Sequence, residues 1–213
     1  MTVRPGDPLA RAWFAFTAVA VLVGIVIQLV VSATATAGFF TSAAARTANV
    51  FAYFTVESNL IVGTTSALLA VRPHRDSTAF RVFRLAGITG IVLTGVVYHT
   101  VLVGLVQLTP WGTVADVILH SVVPVAAVVG WLAFGPRGRC SMRTVWWSLL
   151  FPVAWLALTL ARGPFARFYP YPFVDVTTLG YLRVALNCLV VGAGYVAIAT
   201  LATAYDRWRL RRG

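Results

Sequence analysis

Six long apolar stretches, at about 13–35, 50–71, 83–106, 115–134, 145–161 and 181–204, constrain this 213-residue chain more than any other feature. At about 1.5 Å of rise per residue, each is long enough to cross the hydrocarbon of a bilayer as a helix. The connections between them are too short to fold separately. Residues 1–213 therefore read as one integral membrane domain, an all-α, polytopic bundle of six transmembrane helices. Charged residues are 11% of the chain and apolar ones 59%, against about 25% and 45–50% in soluble domains. Too few charges remain to cover a water-facing surface, which excludes a soluble enzyme, a disordered tail and a disulfide-knotted secreted domain.

Arginine sets the expected orientation. All 17 basic residues are Arg, and 13 of them fall in the two tails and the second and fourth connections. The opposite side carries only Arg46, Arg162, Arg167 and Arg183. Positive charge is retained on the cytoplasmic side, so both termini are expected there, N-in and C-in, in a multi-pass cell-membrane protein. These arginines sit between apolar runs rather than on one soluble face, which argues against nucleic acid as a partner. The first apolar stretch begins after Arg4 and Arg11 and ends near Ala35-Thr36-Ala37, like a cleavable leader. Its apolar run exceeds the usual core of about 7–15 residues, so it is expected to stay as the first helix. Cys140 and Cys188 belong to different depths and do not suggest a bridge; no metal set or cofactor is expected.

Polar residues inside these helices are costly in lipid, so each is a functional candidate. Most of them share the outer half of the bundle: Thr55, Glu57, Ser58 and Asn59 in the second helix, Tyr98 and His99 in the third, Asp116 and His120 in the fourth. The inner halves are mainly Val, Leu, Ala and Gly. A polar cavity opening outward is the expectation, covered by the connection 162–180 with Arg162, Arg167 and Asp175. Asp116 and His120 are i,i+4 and share a face, as do Thr55 and Asn59. Counted from the expected helix ends, Thr55 and His120 lie level, as a nucleophile and its base would. The plainer alternative is that Thr55 bonds its own helix backbone and His120 is a structural hydrogen-bonding residue.

Three stretches carry a resemblance to a known family. They are AYFTVESNLIVG at 52–63, DVILHSVVPV at 116–125 and YPYPFVDV at 169–176. In this order the chain resembles the androgen-induced and androgen-dependent integral membrane proteins, a multi-pass family with a large bacterial branch. The likeness implies a bacterial inner membrane and a hydrolase of fatty acid esters of hydroxy fatty acids. It implies Thr55 as nucleophile and His120 as base, with a lipid or fatty acyl ester as substrate. Asp116 would steady the imidazolium, and Asn59, Tyr98 or Arg162 would donate to the oxyanion. Glu57, His99 and Asp175 complete the candidate substrate-binding set. Two departures qualify this: Ser58 is a competing nucleophile, and Tyr98-His99 has no evident counterpart.

Rival readings remain. Glu57, His99, Asp116 and His120 also suit the relay of a proton-coupled transporter. His99 and His120 suit the axial ligands of a single haem. Gly87, Gly90 and Gly95 leave room for close helix packing, including a homodimer among membrane lipids.

Overall fold

The structure, a computed structural model, describes residues 7–136 and 138–212. Arg4 and Arg137, which enter the charge count, lie outside these residues. Among the described residues every regular element is helical: α1 (Pro8–Thr34), α2 (Ala43–Asn49), α3 (Phe54–Val71), α4 (Thr78–Leu102), α5 (Pro110–Phe134), α6 (Met142–Ala166) and α7 (Val176–Arg211). All except α2 are long and apolar enough to cross a membrane, so the chain has the build of a multi-pass membrane protein. An even number of crossings leaves both chain ends at one end of the bundle, here the terminal end; the opposite end is the far end.

Helix starts follow capping chemistry, which hydropathy does not register. Asp7 precedes Pro8 and accepts from the Leu9 amide; Thr109 precedes Pro110 and accepts from the Gly112 amide. Proline suits the first helical position because its missing N–H would have been unsatisfied there. Ser77 and Ser141 cap α4 and α6 through the Phe80 and Thr144 amides. These caps start α1, α4, α5 and α6 a few residues before the apolar runs begin. In contrast, α3 starts at Phe54 rather than near 50, because Val50–Ala52 is taken up by a 3₁₀ turn. Gly180, at φ +74°, separates the first turn of α7 from its main rod.

Packing makes α1 an integral part of the bundle. A Cβ on Gly63 of α3 would lie 2.8 Å from the Val21 side chain of α1, so only glycine admits that approach. The glycines of α4 are also used within the chain. Gly87 faces Ile61 and Gly90 faces Ser58, both on α3, while Gly95 faces Pro124 of α5. Of the uses expected for these glycines, close helix packing is the one seen within the chain. At the terminal end, the Arg84 guanidinium lies 4.3 Å from the Trp131 ring centre, and Asp206 accepts the Arg139 and Cys140 amides. Both cysteines are free thiols.

Prolines shape the helices that carry the site. Pro152 has no N–H to give the Ser148 carbonyl, its i−4 partner. The buried Tyr195 hydroxyl of α7 donates to that carbonyl instead, at 3.0 Å. In α5 a π-helical turn spans Ile118–Val122, with the Val123 amide bonding back to Ile118. The next carbonyl in that register, Leu119, would require an N–H from Pro124. Asn59 Nδ2 of α3 takes the place, at 3.2 Å, while also donating to Thr55 O at 2.8 Å.

Tyr195→Phe should therefore orphan the Ser148 carbonyl and cost about 1 kcal/mol, read as a lower Tm in detergent. Pro152→Ala restores an N–H for that carbonyl, so Tyr195→Phe should cost less in that background. Equal costs in the two backgrounds would refute this account.

Candidate functional site

The far end of the bundle holds two polar groups joined by Asn59. The first lies at the start of α3. Its cap residue, Tyr53, offers no side-chain acceptor, and its carbonyl receives the Val56 and Glu57 amides. The Thr55 amide is one of the first-turn donors with no partner inside the helix. It donates to the Tyr171 hydroxyl at 3.1 Å, and the Thr55 and Tyr171 hydroxyls are also 3.1 Å apart. A loop tyrosine therefore caps α3 and holds the threonine together.

The YPYPF run explains how Tyr171 reaches this position. A residue before proline is pushed toward extended backbone, and Tyr171 has φ −134° and ψ 142°. Its ring packs against Tyr53, Trp155 and Phe173. Trp155 is fixed in turn by donating to Ala52 O at 3.0 Å. Burial pushes the Tyr171 phenol up from 10.0 to about 12, so it stays neutral and able to donate.

The second group lies where α4 and α5 face each other through π-helical turns, Tyr98–Leu102 and Ile118–Val122. Such turns often occur at functional sites because the extra residue re-aims side chains. Asp116 Oδ1 is 2.9 Å from His120 Nδ1, as the i,i+4 spacing predicts. The Tyr98 hydroxyl donates to the other Asp116 oxygen, and the Tyr98 ring stacks on His120 with centres 4.0 Å apart. With Nδ1 facing a carboxylate, Nε2 is the His120 nitrogen left to accept a proton. His99 Nε2 pairs with Ser121 Oγ at 3.1 Å. The Tyr98 ring packs against both histidines.

An apolar chamber of about 160 Å³ extends from the first group toward the middle of the bundle. Thr55 and Tyr171 stand at its far-end wall; Leu93 and Val97 of α4, Leu149 and Leu156 of α6, and Val191 and Tyr195 of α7 form much of the rest. His120 is not on its walls.

The expected residues are thus only partly gathered. Thr55 and His120 share no hydrogen bond; Tyr171 and Asp116 are their respective partners. Their equal depth presupposed other helix starts. With α3 beginning at Phe54 and α5 at Pro110, Thr55 lies in a first turn and His120 well inside its helix. Ser58 is fully buried against Gly90, away from the chamber. Glu57 is half-buried on α3. Arg162 belongs to α6, where it donates to Asn49 Oδ1 at 2.7 Å. Asp175 accepts the Thr177 amide and hydroxyl in the first turn of α7. Tyr171 and Ser121 are absent from the sequence-based candidates, although both lie within motifs the chain displays. Among the described residues, no three His, Cys, Asp or Glu side chains are placed to hold a metal ion. No family model, curated protein or solved structure matches the chain.

The buried phenol gives a pH signature. Between 10.0 and about 12 the unfolded chain ionises its tyrosines while Tyr171 stays neutral in the fold. Its contribution is fully present below pH 10 and is lost as pH rises through that window. Tyr171→Phe should show a shallower alkaline loss of Tm than the parent protein; an unchanged slope would show that Tyr171 is not protected.

Proposed function

We propose that this chain is an intramembrane hydrolase of fatty acyl esters, with Thr55 as nucleophile and His120 as general base. The observation that carries the reading is a threonine hydroxyl in a helix first turn, held by a neutral buried phenol, at the head of an apolar chamber. The positive end of the α3 dipole favours negative charge developing there. The resemblance to the androgen-induced and androgen-dependent proteins supports the same two residues.

In this mechanism Thr55 Oγ1 attacks the ester carbonyl carbon, and its proton passes to His120 Nε2 through an intervening water. Asp116 holds Nδ1 and steadies the imidazolium. Tyr171 turns its O–H toward the carbonyl oxygen as that oxygen becomes anionic. Collapse breaks the bond to the alcohol oxygen, which takes the His120 proton and leaves. Water then attacks the acyl-threonine, His120 accepts its proton, and the carboxylic acid departs as Thr55 is restored. Asn59, which binds the Thr55 and Leu119 carbonyls through one nitrogen, keeps the two polar groups in register.

A second reading rests on the Thr55–Tyr171 bond itself. A hydroxyl paired with a phenol, rather than directly with an imidazole, also suits a non-catalytic site for an apolar ligand. Thr55→Ala decides between them. The hydrolase reading expects loss of ester turnover and of labelling by an activated fluorophosphonate, with the fold intact. Tyr171→Phe should lower kcat by about 10²-fold if the phenol serves the oxyanion. Undiminished hydrolysis in Thr55→Ala would remove Thr55 from the chemistry, and a parent protein that binds esters without turnover would favour the second reading.

We also propose that the terminal end is cytoplasmic, on the Arg distribution. Fluorescent-protein fusions at either terminus should be bright in cells, and alkaline phosphatase fusions there inactive. The reverse pattern would invert the topology and place the site at the cytoplasmic side.

A further inference from the structure

We infer that the chamber opens sideways into the bilayer between α6 and α7, admits one lipid acyl chain, and has its reach set by Gly192. The lateral opening stands apart from catalysis; the chain-length role rests on the hydrolase reading.

Buried side chains line both ends of the chamber. At the far end the wall is Tyr171, Phe173 and Val174, with Val174 and Tyr171 buried. Toward the terminal end, Tyr195 is fully buried and tied to Ser148 O. Behind it, Leu93 of α4 is 8% exposed. The side between α6 and α7 differs. Val153 of α6 is a wall residue and is nevertheless 60% exposed, so the chamber meets the surface there. That surface belongs to two membrane-crossing helices, and the neighbouring Leu186 and Leu189 are exposed as well. What lies outside the opening is therefore hydrocarbon, and a lipid tail is the occupant that such a mouth can recruit.

Gly192 decides the free space. It lies on the α7 wall, and a Cβ built on it meets no heavy atom within 4 Å. A larger side chain there enters the chamber without striking the bundle. On α7 the wall runs from Cys188 to Tyr195, about 10 Å at 1.5 Å per residue. Gly192 stands in the deeper half, where it would shorten the accessible length and leave the Thr55 end untouched.

The test uses the full chain in vesicles of phosphatidylcholine containing a phosphatidylcholine with a diazirine in its acyl chain. After irradiation, labelled residues are mapped by mass spectrometry. Leu93 and Tyr195, shielded from bulk lipid, should be labelled in the parent. Gly192→Trp should reduce that labelling at least fivefold while leaving the exposed Leu158 and Leu182 labelled as before. Gly192→Leu serves if the tryptophan variant does not fold. Unlabelled Leu93 and Tyr195 in the parent would overturn lateral access, as would labelling indifferent to both larger substitutions. A second copy of the chain filling the cleft would give the first of these outcomes. In parallel, p-nitrophenyl dodecanoate and butyrate report chain length. A chain too long for the shortened chamber cannot bring its carbonyl to Thr55, so the larger variants should lose dodecanoate turnover and keep that of butyrate. Equal loss on both esters would overturn the role of Gly192. Buried labelling without hydrolysis of either ester would sink the hydrolase reading and leave lateral access standing.

Discussion

A backbone carbonyl in hydrocarbon has no water to fall back on, so every one that a helix leaves unpaired must find a donor in the protein. This requirement organises the bundle. Pro124 and Pro152 each deprive a carbonyl of its expected partner, and each vacancy is filled by a side chain from another helix. Asn59 thereby ties α3 to α5, and Tyr195 ties α7 to α6. Both ties recur at the site. The first lies between the threonine and the histidine groups; the second forms the floor of the chamber. The same substitutions that weaken the helices locally fix which helices are neighbours.

The two polar groups at the far end are built differently, and the difference bears on their chemistry. The Asp116–His120–Tyr98 group is a side-chain network across two helices whose π turns bring it together. The Thr55–Tyr171 group is a helix terminus completed by a loop. One supplies an oriented imidazole with a free nitrogen; the other supplies a hydroxyl, a donor and the favourable end of a helix dipole. Neither group alone has what an acyl-transfer reaction needs. Their proximity through Asn59 is what makes a joint role physically reasonable.

Much of this architecture is legible from sequence because hydrocarbon thickness and apolar run length speak directly to each other. All six crossings follow from that relation. Their starts do not, because Asp7-Pro8 and Thr109-Pro110 begin helices inside polar or mixed sequence; those caps were readable, but hydropathy alone passes over them. The shift matters at the site, since depth counted from a misplaced start put Thr55 and His120 level. The Asp116–His120 pair was legible from i,i+4 spacing. The π turns that aim it were not, because an inserted residue leaves no periodic mark over so short a stretch. Tyr171 sits in an evident proline-aromatic motif, yet its partner lies 116 residues away, and nothing local announces that pairing.

That separation bears on biogenesis. A nascent chain that has delivered α3 through α6 still carries a helix whose opening amide lacks its cap and a threonine without its phenol. Only when the ribosome has released the stretch just before α7 can the hydroxyl pair close. The Thr55–Tyr171 corner is thus among the last contacts to form during insertion, so a truncated product would reach the membrane with most of its helices and without that pair.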